Sequence, residues 1–281
     1  RTVGRPDLLH AHQATWGGYA ACQAARRYGI PCVITEHSHY YFDAGLMRRL
    51  ADYRRSALTR ADAVVAVSRA LADAMAPYAG GRPITVIPNP VDTDFFTPGA
   101  VKPAGPARLL AVGRLTPEKR FDLLIDAFAE LAAARRDATL TIIGEGPERA
   151  ALEARGARSG AGARIALPGS KPAAAIRDAL RAADALVLSS DMETFSVALV
   201  EAMAVGLPVV ATACGGPEDI VTPETGLLTP RGDAAALARA LHDVLRTPWD
   251  RARIRASAVE RFSYASVAAA CRRLYAQVLA R

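Results

Sequence analysis

The stretch Ser189-Ser190-Asp191-Met192-Glu193-Thr194-Phe195-Ser196-Val197-Ala198-Leu199-Val200-Glu201-Ala202-Met203-Ala204-Val205-Gly206-Leu207-Pro208 reads as a strand end, a loop, a short helix and the approach to a second strand. The run Ala185 to Ser190 is too short for a helix and is filled with Leu and Val, which suits a buried strand. A helix starts near Phe195 or Ser196, where Thr194 and Ser196 offer capping oxygens, and Gly206 ends it before the next run, Pro208 to Ala213. Strand, helix and strand in this spacing make a parallel βαβ unit, since parallel strands need a crossover of about this length.

The alternation continues in both directions. Strand-like runs precede it at Arg108 to Gly113, Thr139 to Gly144 and Arg164 to Pro168, and a shorter one follows at Gly226 to Leu228. Earlier still come Asp7 to His12, Cys32 to His37, Ala63 to Ser68 and Ile84 to Pro88, separated by helical stretches at Gly18 to Tyr28, Gly45 to Thr59 and Arg69 to Tyr78. A Pro/Gly-rich segment from Thr97 to Pro106 interrupts the two series and reads as a linker at 99–106. The expected fold is therefore α/β, with two Rossmann-like doubly wound domains at 1–98 and 107–248. Residues 249–281 carry no strand signal and read as helices packing back across both. A strand-like run begins almost at once after Arg1 and only four strands form the first series, so that domain is expected to be incomplete at its N-terminus, or its edge covered by another chain.

Composition bounds the function. With 281 residues, 51% of them hydrophobic, the chain is long enough for two domain cores. No apolar run reaches the roughly 18 to 20 residues of a membrane span and no signal segment opens the sequence, which points to the cytoplasm. Four scattered cysteines with no C-x-x-C pair read as reduced thiols. Net charge is +7, and Trp249 to Arg281 holds seven Arg against Asp250 and Glu260. A solvated helix face is the simplest reading, with peripheral contact to anionic lipid or an anionic acceptor as the alternative. Nucleic acid does not fit, because no aromatics interleave with the charges. Lysine occurs only at 102, 119 and 171, which singles out Lys119.

Chemistry concentrates where strands end. The helix after Ser196 is apolar almost all round, yet it carries Glu201, and a buried carboxylate needs partners such as ligand hydroxyls or an Arg. Glu193 sits in the loop before it. The N–H groups of Phe195, Ser196 and Val197 open a helix and suit an anion such as phosphate. Val112-Gly113-Arg114-Leu115-Thr116-Pro117-Glu118-Lys119-Arg120 places cations in a second strand-to-helix loop, where Arg114 can fork onto two oxygens and Lys119 act as a point charge on a diphosphate. Gly144, in Ile143-Gly144-Glu145-Gly146-Pro147, lets backbone approach a ligand closely, but the full G-x-G-x-x-G of nicotinamide sites is absent. Two H-x-H pairs, His10 with His12 and His37 with His39, lie at strand ends; with only His242 besides, a metal centre is not expected. No G-x-S-x-G, P-loop or H-E-x-x-H pattern occurs.

From Asp7 onward these residues together resemble a retaining glycosyltransferase of the GT-B fold, the large family four. The resemblance rests on Glu193-x7-Glu201 followed by Ala202-Met203-Ala204-x-Gly206-x-Pro208-Val209-Val210. It is supported by Thr35-Glu36-His37-Ser38, Ala66-Val67-Ser68, Ile87-Pro88-Asn89-Pro90-Val91-Asp92, Gly113-Arg114-Leu115 with Lys119, Gly144-Glu145-Gly146-Pro147 and Gly215-Gly216. It implies that the first domain serves the acceptor and the second the nucleotide sugar. Glu201 would hold the nucleotide ribose and Glu193 the transferred sugar, which His37 would reach from the first domain. Arg114, Lys119 and the N–H groups near Phe195 and Ser196 would bind the diphosphate. It further implies a UDP- or GDP-hexose donor, a glycan, lipid or small-molecule acceptor, same-face attack with retention, and no cofactor or metal. Two positions depart from the family pattern: Pro90 and Arg120 stand where glycine is common. The alternatives are a non-catalytic sugar-nucleotide-binding module or inactive homologue, and a sugar-nucleotide epimerase or hydrolase.

Overall fold

The computed structural model describes residues 4–42, 44–100 and 105–280. The chain divides into two compact units, Arg1–Asn89 with Ala265–Arg281, and Pro90–Tyr264. The first contains β1 (Leu9–His12), α1 (Tyr19–Tyr28), β2 (Cys32–Glu36), α2 (Ala44–Arg60), β3 (Ala63–Ala66), α3 (Arg69–Met75) and β4 (Ile84–Val86). The four strands form a parallel sheet in sequence order. All five residues of β2 are buried, as expected of a parallel strand covered on both faces. Local signals set the helix ends: Gly29 terminates α1 in a left-handed conformation (φ 61°), and the Ser68 hydroxyl accepts the Leu71 N–H to start α3.

The second unit runs β5 (Arg108–Val112), α4 (Phe121–Ala134), β6 (Thr139–Ile143), α5 (Arg149–Arg158), β7 (Ile165–Ala166), α6 (Ala173–Ala182), β8 (Ala185–Leu188), α7 (Val197–Ala204), β9 (Val209–Ala213), β10 (Gly226–Pro230), α8 (Ala234–Val244) and α9 (Arg251–Phe262). Its six parallel strands lie in the order β10-β9-β8-β5-β6-β7. The chain winds outward from β5 through β6 to β7, then returns to the other side of β5 as β8. The order thus reverses between β5 and β8, and in open α/β sheets ligands bind beyond the carboxyl ends of the strands at such a switch point. The core beneath joins Leu109, Ala111, Leu140, Ile142 and Val187 of the sheet to Leu124, Phe128 and Leu131 of α4 and Leu237 and Leu241 of α8. Asp233 and Asp250 cap α8 and α9 by accepting the N–H groups of Ala236 and Arg253.

All ten strands foreseen appear in place; β7 is the shortest because a turn over Gly162–Arg164 takes up its start. The division between units falls at Asn89 and Pro90 rather than at 98. Residues after Pro90 are tied to the second unit: the Val91 N–H donates to the Phe262 carbonyl at 2.8 Å, and Arg181 grips the carbonyl and hydroxyl of Thr97. Of the linker foreseen at 99–106, residues 101–104 lie outside the described residues. The terminal helices part company. α9 belongs with the second unit, whereas α10 (Tyr264–Leu279) returns to the first and packs Val267, Leu274 and Val278 against Val33, Val65 and Ile87.

The basic tail is not simply a solvated face. Arg255 donates to the carbonyls of Thr93, Phe96 and Ala204, and Arg261 to those of Asp219 and Ile220, so two of the seven arginines serve as internal struts. No helix among the described residues is long and apolar enough to cross a membrane.

The core argument is testable at Phe128, which is fully buried. Phe128→Ala is expected to cost about 3–5 kcal/mol. The expected observation is an earlier urea midpoint for the second unit, read from Trp249 fluorescence in a Trp16→Phe background.

Candidate functional site

The two loops that the sequence singled out, 113–120 after β5 and 189–196 after β8, leave adjacent strands at the switch point. Lys119 Nζ lies 2.6 Å from Glu193 Oε1, and the Ser190 hydroxyl donates to the same oxygen at 2.9 Å. These side chains are largely shielded, with 24% and 12% of Lys119 and Glu193 exposed. The backbones are joined as well: the Asp191 N–H donates to the Glu118 carbonyl and the Ser189 hydroxyl to the Lys119 carbonyl, both at 2.9 Å. A third loop, after β9, holds Glu193 from behind. Glu193 N–H bonds the Cys214 carbonyl, and Gly216 N–H bonds the Glu193 carbonyl at 2.7 Å. Glu218 in turn accepts the N–H groups of Cys214 and Gly215.

Glycine is required where these backbones touch. A Cβ on Gly144 would fall 1.8 Å from the Gly113 carbonyl oxygen, one on Gly146 2.3 Å from that of Leu115, and one on Gly216 2.6 Å from Phe195 N. Gly144 therefore serves chiefly to let the loops after β5 and β6 close on each other. Beside this contact runs an open groove of about 390 Å³, lined by Gly113, Arg114, Gly144, Glu145, Ser170, Lys171 and Ile176. Arg114 is exposed at its wall. A larger hollow of about 590 Å³ along α5 and β7 has Glu153 as its one charged lining residue and no converging polar groups, which makes it a poor ligand site.

At the start of α7 the Phe195 ring is buried and meets Phe262 edge to face, with centroids 5.8 Å apart, so only its backbone can serve a ligand. Ser196 is the N-cap, but its hydroxyl makes no capping bond to the first turn. The Ser196 hydroxyl therefore does not compete with an anion for the N–H donors of the first turn. Further along the helix Glu201 is half-buried. Burial alone pushes its carboxyl up from 4.5 to about 7, and no hydrogen bond or neighbouring charge offsets that. Among the described residues no Arg pairs with Glu201; Arg255 bonds the Ala204 carbonyl at the end of the same helix.

His37 lies in the first unit, just after β2. Burial, and secondarily the charge of His12, lower its pKa, so it is a neutral imidazole at neutral pH. Its Nε2 is 2.8 Å from His12 Nδ1. His10 stacks on His12 and bonds Tyr275 Oη and Thr35 Oγ1 at 2.6 and 2.7 Å, and its pKa is lowered to about 4, mainly by burial. The histidines thus satisfy one another and nearby hydroxyls. Among the described residues no three His, Cys, Asp or Glu side chains group to hold a metal. Below them Glu36, fully buried, accepts the N–H groups of Ala14, His37 and Ser38, fixing the loops after β1 and β2. Glu36 stood within the quoted Thr35-Glu36-His37-Ser38 without being assigned this role.

Family models agree with this geometry. The model of "Glycosyl transferases group 1" matches residues 92–261 and that of "Glycosyltransferase Family 4" residues 1–95. The chain belongs to the group 1 glycosyl transferases. This transferase is 33% identical over 267 residues to 2-deoxystreptamine glucosyltransferase of Streptomyces kanamyceticus, covering 86% of this chain and 69% of that one. It is also 33% identical over 288 residues to glycogen synthase of Mycobacterium tuberculosis, covering 96% and 69%. Among solved structures it resembles sucrose-phosphate synthase from Thermosynechococcus elongatus, with TM-score 0.83 and 26% identity over 98% of this chain and 74% of that one. Anabaena Alr3699/HepE in complex with UDP-glucose gives TM-score 0.79 and 25% identity over 96% and 79%. The fold is accordingly GT-B, with two Rossmann-like units.

Glu201 offers a test that needs no ligand. A carboxyl raised on folding favours the native state most below its unfolded pKa and progressively less as pH rises through its folded value. Glu201→Gln, which cannot ionise, is therefore expected to match the wild type in thermal stability near or below about pH 4. It should surpass it by no more than about 3 kcal/mol at pH 8, with the gap opening from about pH 4.5 and levelling off above about pH 7. A gap that does not vary with pH would mean Glu201 has a partner.

Proposed function

We propose that this glycosyltransferase moves a hexose from a UDP- or GDP-sugar to a hydroxyl of a glycan, lipid or small molecule, with retention of anomeric configuration. The observation that carries the reading is the shielded Lys119–Glu193 pair at the switch point, with Arg114 in the same loop as Lys119 and the start of α7 following Glu193 in the chain. A cation, a second basic side chain and helix N–H groups around one crevice suit a diphosphate, and the neighbouring carboxylate suits sugar hydroxyls.

On this reading the diphosphate takes Lys119, Arg114 and the N–H groups at Phe195 and Ser196. The base lies in the groove beside Gly113 and Gly144. Glu201, a carboxylate with no partner among the described residues, receives the two ribose hydroxyls, and Glu193, once released, receives those of the transferred hexose. His37 serves the sugar as a neutral hydrogen-bonding group. As the C–O bond to the diphosphate lengthens, negative charge grows on the departing phosphate, and fixed cations and dipoles stabilise that charge more than the ground state. The same groups do what a divalent metal would do, so the reaction proceeds without one and without a cofactor. The departing phosphate takes the proton of the acceptor hydroxyl as it attacks from the same face, and no side chain is assigned as a covalent nucleophile. The glucosyltransferase relative and the UDP-glucose complex of a structural neighbour support a nucleotide-sugar donor.

Calorimetric titration with UDP and GDP tests the donor site without knowledge of the acceptor. One nucleotide is expected to bind, with Lys119→Ala and Glu201→Ala each weakening it at least tenfold while the fold persists by circular dichroism. Absence of binding by folded wild-type protein would remove the assignment. Turnover of a donor sugar only with acceptor present separates transfer from simple binding and from hydrolysis or epimerisation.

A further inference from the structure

Arg120 follows Lys119 directly, and both its backbone and its side chain are unusual. Its φ and ψ of 49° and 41° are left-handed, a conformation that glycine adopts freely and a Cβ disfavours. An arginine held there needs compensation, and its guanidinium shows where that lies. Nε and Nη2 donate to the two oxygens of Asp122, in the first turn of α4, at 3.0 and 3.2 Å. Nη1 crosses the crevice to both oxygens of Asp191, at 3.2 and 3.1 Å. Asp191 lies two residues before Glu193. Two ion pairs therefore run side by side between the same two loops, Lys119 with Glu193 and Arg120 with Asp191.

The pairs answer differently to a ligand. A diphosphate entering the crevice competes for Lys119, because its terminal oxygens carry more charge than one carboxylate, and Glu193 is then released. Arg120 is bound on two sides by full negative charges and does not face that exchange. We propose that Arg120 is a positioning residue for the donor. Its bridge to Asp191 keeps the two loops in register while Lys119 trades Glu193 for the terminal phosphate. The proposal rests on the donor reading above. It does not make the bridge a major source of stability: the side chains are 30% and 43% exposed, and such pairs add little to folding. Glycine at this position would also relieve the left-handed backbone.

The experiment compares wild type, Arg120→Gly, Asp191→Ala and the double variant by calorimetry with UDP and UMP, and with GDP and GMP, alongside thermal unfolding. The wild type is expected to prefer the diphosphate of its base over the monophosphate. Each single variant should lose that preference about fivefold or more, with monophosphate affinity unchanged and the Arg120→Gly melting midpoint within a few degrees of wild type. The double variant should lose no more than either single one, since the two residues act as a unit. An unchanged diphosphate preference in both single variants overturns the proposal. So does an equal loss for mono- and diphosphate with a lowered melting midpoint, which would make Arg120 a structural residue only. A wild type that binds neither diphosphate overturns the donor reading and this proposal with it.

Discussion

A lysine and a glutamate 2.6 Å apart, mostly shielded from water, join the loops after β5 and β8 where the strand order of the second sheet reverses. Neither charge is affordable alone in that setting, because a desolvated ion without a partner costs several kcal/mol. In the structure the crevice holds the two charges as an internal pair, which meets that cost for both. His37 follows the same rule in the first unit, with His12 holding its Nε2. Glu201 is the exception: among the described residues it has no charged partner, and burial pushes its carboxyl up to about 7.

The charges are held by backbone rather than by long side chains alone. Gly144, Gly146 and Gly216 allow main chain to touch main chain at distances no Cβ would permit. Hydrogen bonds from Asp191 to Glu118 and from Glu193 to Cys214 then lock three loops to each other. The packed sheet, α4 and α8 supply the base on which these loops sit.

Much of this was legible in the residues themselves. The strands announced themselves as short Val- and Leu-rich runs, and the sequence placed Glu193 and Lys119 in loops after strands, but it did not foresee that they pair with each other. The boundary at Asn89 was not legible. Pro and Gly near 98 to 106 mark a turn-rich segment, whereas what divides the units is the pairing of Val91 with the residues ending α9, a long-range contact without local signature. The struts made by Arg255 and Arg261 were hidden for the same reason: an arginine reads as a surface charge until the carbonyls it bonds are known. Arg120 was visible as a departure from the family pattern, but only the left-handed backbone explains why glycine is usual there, and only Asp191 explains what the arginine does.

Hydrogen exchange with and without saturating UDP or GDP tests most directly the claim that the switch-point crevice is the donor site. The account predicts slowed exchange of backbone amides within 113–120 and 189–201 in the presence of one nucleotide, with the amides of Phe195, Ser196 and Val197 among those protected. Protection confined to other segments, for example the hollow along α5, would contradict it.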